Sequence, residues 1–316
     1  TLAFSYDGSL PLSTTWTGSV IGSVSKTYDN NFRIASLSVN DANTVALAYD
    51  RDSLLTGAGA ETLTRDPANG FLTGTVIGLV NDTYVYNAFG ETTGYTAKTG
   101  TSPVYSAQFT RDALGHIAQK SETVGTATIN YGYSYDTAGR LTAVSRGGVP
   151  YSSYQYDGNG NRLGKTVLLN TVSGTYDAQD RLTNYNGTTY AYTANGELMN
   201  KTGATGTTAY TYDVLGNLTT VAMQNGTAIS YVIDGMNRRI GKKVNGTLVK
   251  GWLYDGIHPV AELDGTGAVV ATFVYASKGN APDYMIKGGN TYRIISDHLG
   301  SPRLVIDSAS GAVMQQ

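Results

Sequence analysis

The chain has 316 residues, no cysteine and a formal net charge of −2. These values exclude disulfides, thiolate metal sites and a cysteine nucleophile, and they show no electrostatic footprint for nucleic acid or an anionic membrane. Hydrophobic residues make up 41% of the chain and charged residues only 15%, against about 25% charged in ordinary globular domains. The balance is taken by 39 Gly, 24 Tyr and abundant Thr, the composition of many short strands joined by tight turns. No stretch approaches the roughly 20 apolar residues of a membrane-spanning helix.

The chain opens on Thr1-Leu2-Ala3-Phe4, neither an initiator methionine nor a signal peptide, and so reads as a piece of a longer polypeptide. One phrase then recurs: Tyr-Asp, two or three variable residues, Gly or Asn, then often Arg and an aliphatic residue. Copies start at Tyr6, Tyr28 and Tyr49, with degenerate ones at Thr64, Tyr86 and Thr110. The best two are Tyr135-Asp136-Thr137-Ala138-Gly139-Arg140-Leu141 and Tyr156-Asp157-Gly158-Asn159-Gly160-Asn161-Arg162-Leu163. Tyr176, Tyr212 (with Asp213 and Gly216) and Tyr254 follow, with degenerate copies at Tyr192 and Ile233. The thirteen starts recur about every 21 residues, the signature of a repeat protein.

A period of that length with two turn signals predicts one β-hairpin per repeat. Between 135 and 157, Tyr135-Asp136 ends a strand, Thr137–Gly139 turns the chain, Leu141–Ser145 forms the next strand, and Gly147-Gly148 turns it into Val149–Tyr156. The Asp carboxylate is expected to accept backbone N–H groups of the turn, Gly to supply positive φ, and Arg to bridge back to the Asp. Tyrosines at i and i+2, as at Tyr131/Tyr133/Tyr135, share one strand face and predict aromatic cross-strand columns. Asn186-Gly187, Asn195-Gly196, Asn225-Gly226, Asn245-Gly246 and Asp264-Gly265 predict type I′ hairpin turns.

Thirteen hairpins supply about 26 strands, a sheet on the order of 120 Å wide at about 4.8 Å per strand. Open sheets beyond about ten strands curl. Closed on itself, such a sheet surrounds a space on the order of 40 Å across, too wide for side chains to fill. The expected fold is therefore all-β: repeated hairpins in a spiralling antiparallel sheet that forms part of a hollow wall.

These residues resemble the YD/Rhs family of bacterial Rhs toxins, the C component of Tc toxins, wall-associated proteins and animal teneurins. The likeness covers nearly the whole chain. Trp252-Leu253-Tyr254-Asp255-Gly256 and Val260–Asp264 resemble the family's lead-in. Asp297-His298-Leu299-Gly300-Ser301-Pro302-Arg303 resembles the opening of the Rhs-associated core. The resemblance implies two segments, a YD-repeat shell over 1–251 and the last repeat with the start of that core over 252–316. It also implies a shell of a secreted or cell-surface bacterial protein, whose partner is an enclosed C-terminal polypeptide effector or further repeats of the same parent. The alternative is a surface adhesion or carbohydrate-binding module with glycan partners.

No catalytic residue, cofactor or metal site is expected. His116, His258 and His298 lack helical i, i+4 spacing, and no Cys or paired acid accompanies them as zinc ligation requires. Asp297-His298 with Ser301 lacks a nucleophile elbow, and Asp157–Asn161 fails the calcium-loop pattern at Arg162 and Leu168. Asp66-Pro67 falls in repeat register and reads as a turn. Six Asn-x-Ser/Thr sequons, at Asn81, Asn186, Asn200, Asn217, Asn225 and Asn245, follow from composition.

Overall fold

The computed structural model describes residues 1–316, as 31 strands of a single antiparallel sheet with no helix. The all-β expectation holds. Wherever the register is defined, each strand pairs with its successor in the chain. Twenty-six strands lie between Leu2 and Asp264, and five more follow, from Val269–Val274 to Val313–Gln315. The predicted hairpin is present as Ala127–Tyr135, Leu141–Arg146 and Val149–Tyr156. All thirteen phrases fall on odd-to-even connections (first strand to second, third to fourth), and so on one edge of the sheet.

Two compact units are present. One combines Thr1–Tyr105 with Tyr231–Gln316, and the other is Ser106–Ser230. The first holds a conventional core of Trp16, Val20, Val24, Val39, Ile240, Leu253, Val260, Ala261 and Leu263. The second is sparsely buried: the consecutive strands Leu182–Tyr185, Thr188–Tyr192, Leu198–Gly203 and Gly206–Tyr212 contain no buried residue. Its stability must come from within the sheet.

Most copies of the repeated turn share one geometry, whereas Tyr6 and Tyr254 run into two-residue hairpins in which Asp7 pairs with Leu10 and Asp255 with His258. In the copy at Asp136, the Asp136 N–H donates to Arg140 O (3.0 Å) and the Gly139 N–H to Asp136 O (3.0 Å). Gly139 has φ 75°, which a Cβ would strain. The outgoing strand carries one extra residue opposite the motif tyrosine: Ser134 pairs with Ala143 and Tyr135 with Leu141, leaving Thr142 as a bulge. Its hydroxyl donates to Ser134 O at 3.1 Å, and Thr183 and Thr219 repeat that contact on Thr175 O and Thr211 O. The bulge thus turns the strand without leaving that carbonyl unpaired.

Three expectations change. Of the five Asn-Gly and Asp-Gly pairs, only Asn186-Gly187 and Asn245-Gly246 have both residues at positive φ. Asn195-Gly196, Asn225-Gly226 and Asp264 instead belong to the longer turn just described, anchored at Thr193, Met223 and Asp264. At Thr64 and Thr110 the register moves by one, because Asp66 and Asp112 anchor the turns; Arg65 then takes the tyrosine's place and donates Nε to Leu55 O at 3.0 Å. Of the motif tyrosines, Tyr49, Tyr156, Tyr192 and Tyr254 meet a guanidinium, whereas Tyr6, Tyr86 and Tyr135 meet another ring.

Phe32 holds the glycine position of its turn at φ 60° with its side chain 73% exposed. Phe32→Gly relieves a left-handed strain of about 1–2 kcal/mol and adds unfolded-state entropy of about 0.5–1 kcal/mol. A net gain of about 0.5–1 kcal/mol is expected, read as a higher urea midpoint.

Candidate functional site

The repeat residues form an interlock between consecutive turns. Asp136 Oδ1 accepts the N–H groups of Ala138 (3.0 Å) and Arg140 (2.9 Å), and Oδ2 accepts Arg140 Nε (2.7 Å). The Arg140 N–H, followed by its guanidinium, holds the Asp136 carboxyl below its ordinary range. Arg140 Nη1 then reaches the next turn and donates to Asp157 O at 2.8 Å, with its guanidinium 5.0 Å from the centre of the Tyr156 ring. Tyr156 reaches back and donates its hydroxyl to Leu141 O at 2.9 Å. Tyr135 makes the same reach to Ile117 O (2.9 Å). Arg33 with Tyr49, and Arg238 with Tyr254, repeat the arrangement.

In the second copy the bridging residue is Asn161. Its Nδ2 donates to Asp157 Oδ2 (2.9 Å), and Gly160 closes the turn at φ 90°. Arg162 lies one position later, over the Tyr185 ring at 5.6 Å, and its carbonyl accepts Tyr176 OH. Asp213 is held by the Leu215 and Asn217 N–H groups (both 2.9 Å), beside Tyr212 and Gly216 at φ 80°. His116 stands where Arg stands elsewhere, with Nδ1 3.0 Å from Asp112 Oδ2 and its ring stacked on Tyr135. Asp297 anchors a turn of the same kind: it accepts the Leu299 and Ser301 N–H groups (2.9 Å each), Gly300 has φ 84°, and Arg303 Nε lies 3.2 Å from Asp297 Oδ2. His298 is exposed on that turn, and Pro302 begins the outgoing strand.

Sequence reasoning missed a buried ionic cluster in the first unit. Arg293, on Asn290–Ser296, is 1% exposed. It bonds Glu61 Oε1, Asp82 Oδ2 (2.7 Å) and Thr75 Oγ1 (2.9 Å), with Asp283 Oδ1 at 3.6 Å. Tyr95 OH donates to Asp82 Oδ2 at 3.0 Å, and Tyr284 OH donates to Ala58 O at 3.0 Å. Burial dominates at Glu61 and pushes its carboxyl up to about 7. The signal was a parity violation: Glu61 shares a strand face with Leu63, and Asp82 with Val80, on strands whose other inward positions are apolar.

The cluster also fixes which faces meet. The motif tyrosines define one face of the sheet. In the N-terminal strands that face carries Val24, Val39, Val45, Ala58, Glu61 and Asp82. In the C-terminal strands the residues packed against it, including Leu253, Ala261, Tyr284 and Arg293, lie on the opposite face from Tyr254. A tyrosine face therefore packs on an opposite face.

A family model described as Teneurin YD-shell matches residues 1–316. The chain belongs to the teneurin YD-shell family. Among curated proteins, this YD-shell chain is 33% identical over 103 residues to the tRNA3(Ser)-specific nuclease WapA of Bacillus spizizenii, covering 30% of this chain and 4% of that protein. Its fold matches a chain of the Photorhabdus luminescens Tc holotoxin pore with TM-score 0.63 and 15% identity, over 96% of this chain and 19% of that one. A TcdB2-TccC3 crystal structure matches with TM-score 0.62 and 15% identity, over 96% and 20%. The chain thus spans about a fifth of the Tc chains it matches and far less of WapA.

Arg293→Met leaves three acids without their cation, and a loss of about 3–5 kcal/mol is expected in denaturant melts. Glu61 has a raised folded pKa, so its stabilising contribution is full below about 4.5 and is lost as pH rises through about 7. The stability difference between wild type and Glu61→Gln should shift against wild type by about 3 kcal/mol across that window.

Proposed function

We propose that this chain is a shell segment of a secreted bacterial Rhs/YD-repeat protein that encloses a C-terminal polypeptide effector and helps to deliver it. The chain itself catalyses nothing. The observation that carries the reading is the packing of a tyrosine face on an opposite face within the first unit. Two separate sheets in a sandwich press equivalent inner faces together. A continuous sheet that overlaps itself presses one face on the other, the packing that an enclosing wall calls for.

The remaining features support a mechanical role. The turn carboxylates are occupied by backbone N–H groups and by Arg or Asn, which leaves Asp136, Asp157, Asp213 and Asp297 engaged in structure. Residues 252–316 would form the last repeat and the start of the Rhs-associated core. The family relatives include a protein named for nuclease activity and parts of a holotoxin, which agrees with an effector carried elsewhere in the parent.

A second reading, surface adhesion with glycan or protein partners, is favoured by apolar turn tips. Phe89 is 88% and Leu114 81% exposed, each two residues after its turn's anchoring residue. The readings separate on the protein purified from its natural source. Intact-mass spectrometry and limited proteolysis should find a discrete polypeptide from beyond Gln316, retained and protected until the shell is denatured. A parent that retains no such polypeptide contradicts the shell reading and leaves adhesion in its place.

A further inference from the structure

The two faces of the second unit differ in chemistry. The face opposite the tyrosines is a carpet of small neutral residues. One cross-strand row runs Thr175, Asn184, Thr189, Thr202, Thr207, and the Thr202 and Thr207 hydroxyls bond each other at 2.9 Å. Such a surface has no charge to pair and little apolar area to bury, so it gives a passing polypeptide little to hold.

The tyrosine face carries cations, each placed across from a tyrosine. Arg146 pairs with Tyr131, Lys165 with Tyr154, and Lys201 with Tyr190. None of these three cations has an acidic partner. The one acid on the strands of this face, Glu122, is buried with Lys120 at 3.1 Å. The unit's other acids lie in the turns or beside them, as at Asp136, Asp177 and Asp213. Negative charge is thereby confined to one edge of the sheet, and the tyrosine face offers positive charge alone.

We infer that the tyrosine face of residues 106–230 is a docking surface for an acidic, extended polypeptide segment. This rests on the shell reading, in which that segment belongs to the enclosed effector. The three cations lie on the 14th, 16th and 20th strands. Six strand steps of about 4.8 Å span about 29 Å, the reach of about nine extended residues laid across the strands. Carboxylates meet the cations while the tyrosine rings supply flat apolar area and hydroxyl donors. Cations beside tyrosines also discriminate against a basic chain, by like-charge repulsion. The contact is electrostatic and exposed, so it is salt-sensitive and reversible, as release of a cargo requires.

Fluorescence anisotropy with labelled poly-glutamate on the full chain tests this. Poly-glutamate should bind at low salt, and high salt should release it. Lys165→Glu with Lys201→Glu should weaken it by at least about tenfold, and the milder Lys165→Gln with Lys201→Gln by less, both with unchanged circular dichroism. Thr175→Glu with Thr202→Glu, on the other face, should leave it unchanged, and poly-lysine should not bind. Poly-glutamate binding that is absent, or insensitive to the lysine changes, overturns the inference, as does tighter binding of oligothymidylate with the same lysine dependence. Failure here beside a retained polypeptide in the natural protein would remove the docking surface and keep the shell. Poly-glutamate binding without a retained polypeptide would do the reverse.

Discussion

A sheet with little to pack against must be held along its own edge, and the interlock from one repeat turn to the next answers that constraint. In the second unit whole strands have no buried residue, so apolar burial contributes little per strand. The Arg140 guanidinium spans the gap between two turns, bonding its own Asp136 and the carbonyl of Asp157 and lying over Tyr156. The Tyr156 hydroxyl closes the circuit on Leu141 O. Each contact alone is worth about 1 kcal/mol or less, but the arrangement recurs at Arg33, Arg140 and Arg238 and couples each of those turns to the next, as neighbour contacts do in other repeat proteins.

The first unit solves the same problem differently. There the ends of the chain meet, and burial becomes available. Trp16, fully buried, donates Nε1 to Asp234 Oδ2 at 3.1 Å, and Arg238 lies 5.3 Å from the centres of both the Trp16 and Tyr254 rings. The repeat turn at Asp234 has been taken into the core and capped by a strand from the far end of the sequence. The Arg293 cluster does this with charge: one guanidinium satisfies side chains from strands more than 200 positions away. A buried arrangement of this kind is expensive to break and geometrically demanding, which suits a contact that fixes register between two sheet surfaces.

Much of this was legible in the sequence because the repeat is local. Tyr135, Asp136, Gly139 and Arg140 lie within six residues, and local geometry dictates how they bond. The bulge threonines were equally local and were overlooked: Leu72-Thr73, Leu141-Thr142, Leu182-Thr183 and Leu218-Thr219 repeat in register. The shift at Asp66 and Asp112 was hidden because Arg65 and Arg111 replace the tyrosine. The Arg293 cluster was not legible, since no spacing rule links Glu61 to Arg293. Only its components showed, as charged residues at inward-facing positions. The face that carries the tyrosines likewise emerged only from cross-strand register.

The account depends most on the coupling of neighbouring turns, and a double-mutant cycle measures it directly. Urea unfolding of Arg140→Ala, Tyr156→Ala and the double variant should give a coupling energy of about 1 kcal/mol. The matching cycle of Arg140 with the distant Tyr212 should be additive. Additivity between Arg140 and Tyr156 within about 0.3 kcal/mol would show that the turns stand independently, and would contradict the interlock as the basis of this fold.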